Sequence, residues 1–287
     1  MFVRRVLALA GAVLLVGGAV AAAWVVLRPD GGSSGAAEQL APQTITVGAQ
    51  PKPFRVVFPE GFTRAQMADR VAAVARIAHR ERNVWPKLSR ASYLAASTPR
   101  VVPGFGAQKR PLEGFLFPAT YDFLARTTSR QLVDAQLQAF RRNWKQLDLS
   151  YATSKNLTPY DVLIIASMVE REAQVPDERA KIAAVIYNRL HAGMTLGIDA
   201  TIRYGLNVPP TASLTKSELQ SGNPYNTRRH PGLPPTPIAN PGLAALEAAA
   251  HPAKVDYLYF VRKPDHRHHY FTNDYNDFVD HENAYGY

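Results

Sequence analysis

Hydrophobic positions recur at two periods along this chain, and the elements they predict alternate between helices and short strands. The clearest is Thr158 to Gln174, TPYDVLIIASMVEREAQ. Thr158 is placed to cap a first turn, Pro159 suits the first helical position, and Asp161 three residues after the cap is the acidic member of a capping box. At 3.6 residues per turn, Leu163, Ala166, Ser167 and Glu170 share one side, while Ile165, Met168, Val169 and Glu172 share another. Phe54 to Phe58, FRVVF, reads as a strand, with Pro59-Glu60-Gly61 as a turn. A helix then starts at Thr63, runs to about Arg80 and repeats Met67, Val71, Val74 and Ile77. Leu112 to Phe123 carries four aromatic residues and reads as core. Ser129 to Gln146 predicts a helix with Leu132, Leu137, Phe140 and Trp144 inward. Pro176 to Leu190 predicts another, with Ile182, Val185, Ile186, Arg189 and Leu190 in its stripe and Gly193 as its stop.

The carboxy-terminal third is less regular. Asp199 is placed to cap a short helix in GIDATIRYGL, Gly197 to Leu206. Asn223 to Gly242 holds six prolines and cannot be regular structure; a long ordered loop of this kind is often functional. Asn240 and Pro241 are expected to cap a helix through about Ala250. Tyr257 to Val261 and His268 to Thr272 read as paired strands across a KPDHR turn. The fold class expected is therefore α+β.

The first thirty residues decide location. Val6 to Leu27 is a run of 22 residues without charge, long enough as a helix (~33 Å) to cross a bilayer. Arg4 and Arg5 precede it, so the amino terminus is expected to stay cytoplasmic. A cleaved signal peptide, with small residues at Ala19 and Ala21 to Ala23, is the competing reading. Both put the working part on the extracytoplasmic side of the cytoplasmic (inner) membrane. Gly31 to Gly35, GGSSG, belongs to a tether. The expected organisation is residues 1–28 cytoplasmic terminus and transmembrane helix, 29–52 linker, 53–115 a small first domain and 116–287 a second, helix-rich domain ending in a β-hairpin.

Composition narrows the chemistry. The chain has 287 residues, 46% of them apolar, which supports a real core. Cysteine is absent, which excludes disulfides, a thiol nucleophile and cysteine-ligated zinc. The formal net charge of +10 and a pI near 9.8 favour an anionic partner; outside the membrane that is a cell-wall polymer or lipid surface, not nucleic acid. No metal or cofactor is expected: no HExxH pattern occurs, and a strand points His268 and His269 to opposite faces. Glu172 ends an apolar stripe, where desolvation favours the protonated carboxyl and makes it a candidate proton donor at neutral pH. The plain reading of Glu170-Arg171-Glu172 is a solvated helix end, and spacing alone only prefers Glu172 to Glu170.

Taken in order, LEGFLFPATYDF, ASMVERE followed by ERAKIAAVIYNRL, HAGMTLGIDATIRYGL, NPYNTRRHPGLPPTPIANPG, AAAHPAKVDYLYFV and the HYF of His269 to Phe271 resemble the YceG-like family, the membrane-anchored endolytic murein transglycosylases called MltG. FRVVFPEGFTRAQMADRVAAV looks like the LysM-like subdomain that precedes the catalytic domain in that family. The resemblance implies cleavage of the MurNAc–GlcNAc β-1,4 bond of nascent glycan strands without water, leaving 1,6-anhydroMurNAc ends and terminating elongation. It assigns Glu172 as acid and then base, with Glu170 as fallback. Glu113, Asp199, Tyr225, Asn226, Thr227 and His269 become substrate-binding candidates, and Arg228 and Arg229 candidates for lactyl or peptide carboxylates. Implied partners are peptidoglycan glycan strands, with penicillin-binding proteins and other elongation or division proteins. Thr236 departs from the glycine more common at its place in the loop. Two rivals stay open: a noncatalytic peptidoglycan-binding scaffold, and a hydrolytic muramidase with Asp199 as the second carboxylate.

Overall fold

The computed structural model describes residues 52–209 and 211–286. The expected membrane helix and nearly all of the tether lie outside the described residues. Among the described residues, no helix is long and apolar enough to cross a membrane.

The elements follow a mixed order: β1 (Phe54–Val57), α1 (Arg64–Arg82), α2 (Arg90–Ala96), β2 (Arg100–Val101), β3 (Lys109–Arg110), β4 (Thr120–Phe123), α3 (Ser129–Trp144), α4 (Ser150–Ser154), α5 (Pro159–Glu172), α6 (Arg179–His191), α7 (Asp199–Leu206), α8 (Lys216–Leu219), α9 (Leu243–Ala250), β5 (Tyr259–Arg262), β6 (His269–Thr272) and α10 (Tyr275–Tyr285). This is the α+β class, built from helices and two-stranded antiparallel sheets that pair β1 with β4, β2 with β3 and β5 with β6.

The centre is α5. Thr158 Oγ1 accepts from the Asp161 N–H while the Asp161 carboxylate accepts from the Thr158 N–H, closing the expected capping box. From Val162 to Val169 every side chain is buried. The helix is apolar all round, because α6, α7 and α9 pack on it from different sides. Each buried Leu, Ile or Val contributes about 1.5–3 kcal/mol relative to exposure, so packing, not propensity, holds α5.

Helix α1 starts at Thr63, whose side chain forms a capping box with Gln66. Its stripe departs from the expected one: Met67 and Val71 are buried, Ile77 is exposed at 41%, and Ala78 is buried instead. Eleven residues from Met67 complete just over three turns of 3.6, whereas ten fall short, so Ala78 returns to the inward face and Ile77 does not.

The β1–β4 pair puts Phe54 opposite Phe123, with their rings stacked at 5.4 Å. Phe115, Phe123, Leu132, Leu137 and Phe140 lie in the core, as the pattern indicates. One hydrophobic cluster runs through residues on both sides of position 115. Two backbone hydrogen bonds clamp the turn after β1 to the proline-rich loop: Gly61 N–H donates to the Asn240 carbonyl, and Asn240 N–H to the Phe62 carbonyl, each at 3.0 Å. Gly114, at φ +88°, lies where a Cβ would meet Pro237 at 2.7 Å, so only glycine lets these two segments touch.

Asn240 does not cap the helix that follows. Gly242 occupies the N-cap of α9, and the Asn240 side chain turns inward, where it accepts from Leu116 N–H and donates to the Phe62 carbonyl and Glu113 Oε1. The buried carboxylate and the unpaired backbone groups of the neighbouring segments outcompete the helix terminus for it.

Candidate active site

The carboxy-terminal turn of α5 delivers Glu170, Arg171 and Glu172 to the wall of a cavity of about 640 Å³, closed on its other sides by the start of α7, strand β5, His269 and Glu282. A second cavity of about 520 Å³ shares Arg171, Ala200 and Arg203 with it and carries Glu113, Tyr204 and Tyr225 on its wall. The two form successive hollows on either side of the Arg171 and Arg203 side chains.

Glu172 lies where its protonated form is favoured. Desolvation is the main force raising its carboxyl above the usual range. Asp199 pushes the same way, while Arg262, the Ala200 backbone N–H and Arg171 oppose it. Glu170 is also raised, to about 7: burial dominates, the Gly242 N–H opposes it through a 3.0 Å hydrogen bond to Oε2, and the Glu60 carboxylate adds repulsion. The stripe argument separated the two residues; the fold does not, because α5 is enclosed on all sides and both carboxyls emerge from a buried helix. What separates them is bonding: Glu170 is tied to the start of α9, while Glu172 faces Asp199 and the amide that opens α7.

Asp199 is the first residue of α7, with Ile198 at the cap position, and it makes no capping bond. Its Oδ1 instead accepts from Arg228 Nε at 2.7 Å, joining α7 to the proline-rich loop beside the cavity. Arg228 therefore belongs to the wall; Arg229 donates to the Gln220 carbonyl and does not.

Asn226 and Thr227 do not reach either cavity wall. Asn226 is fully buried and its amide donates to the carbonyls of Leu219 and Ser221, while Oδ1 accepts from Arg228 N–H. Thr227 Oγ1 accepts from Ile198 N–H at 3.0 Å and lies 3.0 Å from Thr201 Oγ1. Thr227 fixes the loop against the start of α7 and Asn226 fixes it against the end of α8, and Arg228 and Asp199 are placed as a result. Tyr225 lies on the second cavity, ring to ring with Tyr204 at 5.2 Å, and its hydroxyl pairs with Thr236 at 2.8 Å. That bond gives Thr236 a role that glycine could not fill.

Glu113 is buried at 5% exposure and accepts from Arg64 N–H, Asn240 Nδ2 and Tyr204 Oη. Burial still outweighs these three donors and raises its pKa from 4.5 to about 7. The folded protein thus holds this proton up to about pH 7, while the unfolded chain releases it near 4.5. The stability contribution of protonated Glu113 is complete below 4.5 and lost as pH rises through 7. Melting temperature should carry a downward component across that window, to which Glu170 adds in the same direction, and Glu113→Gln should flatten it; an unchanged slope in scanning calorimetry would refute this.

His269 opens β6 and is buried at 4%. His268 points the other way and pairs with Asp265 at the surface, as strand alternation requires. His269 accounts for a residue absent from the sequence-derived candidates: Glu178, in the 3-10 turn before α6, bonds both its backbone N–H and its Nδ1. Arg171, Arg203 and Arg262 were also missed. Their charge identified them as polar surface only, and nothing in their spacing aims them at one hollow. Among the described residues there is no group of His, Asp and Glu suited to a metal.

Comparison with known proteins shows the family. Residues 26–284 match the model of the YceG-like family. The chain is 36% identical over 227 residues to an endolytic murein transglycosylase of Bacillus subtilis, covering 77% of this chain and 62% of that protein. It is 35% identical over 240 residues to one of Streptococcus pneumoniae, covering 77% of this chain and 43% of the relative. The chain thus spans 62% and 43% of the length of these two curated relatives. The crystal structure of a YceG-like protein from Listeria monocytogenes superimposes with a TM-score of 0.65 at 31% identity, covering 79% of this chain and 75% of that one.

Proposed function

This chain belongs to the YceG-like family, and from that premise we propose that it is a peptidoglycan lytic transglycosylase with Glu172 as its acid and base. The observation that carries the reading is the raised carboxyl of Glu172 at the wall of an elongated pair of hollows. Protonated Glu172 donates to the glycosidic oxygen between MurNAc and GlcNAc. As the bond to C1 breaks, the C6 hydroxyl of the same MurNAc closes onto C1, and the Glu172 carboxylate takes its proton. Glu172 ends carrying the proton it began with, and the new end is 1,6-anhydroMurNAc. One group serves both steps because burial raises its pKa while Arg262, the Ala200 N–H and Arg171 temper the cost of its charged form.

A retaining or inverting glycosidase needs a second carboxylate free to act as nucleophile or base. Asp199 is engaged by Arg228, which favours the intramolecular route over hydrolysis. Arg228 and Arg262 suit the lactyl and peptide carboxylates of the glycan, and Tyr204 and Tyr225 offer ring faces in the second hollow. In this reading residues 53–115 are a LysM-like brace on the glycan side, residues 6–27 anchor the protein at the cytoplasmic membrane, and cleavage of nascent strands beside their synthases limits glycan length. Incubation of the full chain with uncrosslinked glycan strands, followed by mass spectrometry, tests the reaction: anhydroMurNAc ends are expected. Intact strands that remain bound to the folded protein would favour a noncatalytic scaffold.

A further inference from the structure

Glu178 and His269 form a nearly sealed pair, with side-chain exposures of 7% and 2%. Glu178 comes from the 3-10 turn Pro176–Glu178 and His269 from the first position of β6. The carboxylate is bidentate: Oε1 accepts the His269 backbone N–H at 2.9 Å and Oε2 contacts Nδ1 at 2.7 Å. A carboxylate oxygen is only an acceptor, so Nδ1 must carry the proton. Nε2 of the neutral ring is then a bare lone pair. Among the described residues it has no hydrogen-bond partner and is not fully shut from solvent, and its residue lines the Glu172 cavity. Phe260 and Phe271 stand edge-on to the ring and keep it from turning.

We propose that Glu178 is a positioning residue that holds His269 in the Nδ1–H tautomer, so that Nε2 accepts a hydrogen bond from a glycan hydroxyl beside Glu172. The carboxylates of the cavity wall are acceptors that also carry charge, and its arginines only donate; Nε2 is a neutral acceptor. Burial lowers the pKa of His269. Glu178 opposes that effect through its bond and its charge, Arg262 reinforces it, and Asp265 opposes it from the turn before β6. The neutral ring is therefore the working form. The inference rests on the transglycosylase reading for its substrate, but the tautomer itself does not.

Glu178→Gln separates the two. Glutamine offers one acceptor and one donor where the carboxylate offered two acceptors. The backbone N–H of His269 can only donate and takes the oxygen, so the amide NH2 faces Nδ1 and drives the proton to Nε2. The full chain labelled with 15N-histidine, with the resonance assigned by its loss in His269→Gln, is expected to show a bare Nε2 in the wild type and a protonated one in Glu178→Gln. In the same pair kcat/KM on uncrosslinked glycan strands should fall roughly tenfold or more. Adding Glu178→Gln to His269→Gln should cost no further activity. A wild-type ring protonated on Nε2 overturns the proposal, and that measurement decides it even where Glu178→Gln does not fold. A flipped tautomer with unchanged kcat/KM overturns it too. Failure of the underlying reaction reads differently, as the absence of anhydroMurNAc ends from the wild type with the tautomer as stated.

Discussion

Glu172→Gln is expected to remove at least roughly a thousandfold of the strand-cleaving rate, because one side chain supplies both proton transfers and each such transfer is worth about 10²–10⁴. The same change should leave melting temperature equal or slightly raised. Desolvation is the largest influence on this carboxyl, so a neutral amide of the same shape relieves a cost, and its oxygen still faces the Ala200 N–H. The variant therefore separates chemistry from folding. Glu170→Gln is the control. Its oxygen can keep the bond from Gly242 N–H that Glu170 makes at 3.0 Å, and it should lose about tenfold or less. A Glu172→Gln enzyme that keeps near wild-type rates, beside an inert Glu170→Gln enzyme, would move the acid two residues back along the same helix.

Asn240→Ala carries the largest expected loss of stability. The side chain is fully buried and holds three partners at once: Leu116 N–H at 2.9 Å, the Phe62 carbonyl at 2.9 Å and Glu113 Oε1 at 2.8 Å. They tie the segment after β1 and the segment before β4 to the proline-rich loop that carries Asn240. Alanine leaves the buried Leu116 N–H without its acceptor and the buried Glu113 carboxyl one donor short, at about 1–3 kcal/mol each before relaxation, while the Phe62 carbonyl keeps the backbone N–H of residue 240. A combined loss of roughly 2–5 kcal/mol follows, and a melting temperature lower by about 4–20 °C. Asn240→Asp should be little better, since it sets a second carboxylate against Glu113. A melting temperature within a degree or two of wild type for Asn240→Ala would show that this node does not hold the segments together.

Much of this was legible in the order of residues and some was not. The start of α5 was readable because Thr158, Pro159 and Asp161 act on their immediate neighbours, and the same is true of Thr63 and Gln66 in α1. Strands β5 and β6 were readable from alternation, although each begins one or two residues later than the pattern suggested. Ile77 misled because the apolar spacing looked helical while the true inward position passed to a small residue, Ala78. Helix α10 and the short pair β2 and β3 went unread; α10 buries no residue completely and so carries no strong stripe. Asn240 and Glu178 were out of reach for a different reason. Their partners lie 124 and 91 residues away, and no local rule ranks a long-range hydrogen bond against an available helix cap or a solvated turn. The candidate acid itself was legible only as a choice between two glutamates, since the enclosure of α5 on every side is a property of the packing.

The central claim is that cleavage uses the C6 hydroxyl of the substrate and no water, and the most direct measurement is cleavage of uncrosslinked glycan strands in water enriched in oxygen-18, with product ends read by mass spectrometry. The account predicts anhydroMurNAc ends that carry no oxygen-18, produced by the wild type and not by Glu172→Gln. Reducing MurNAc ends labelled at the newly formed hydroxyl would contradict it and identify a hydrolase, with Asp199 released from Arg228 as the first residue to test.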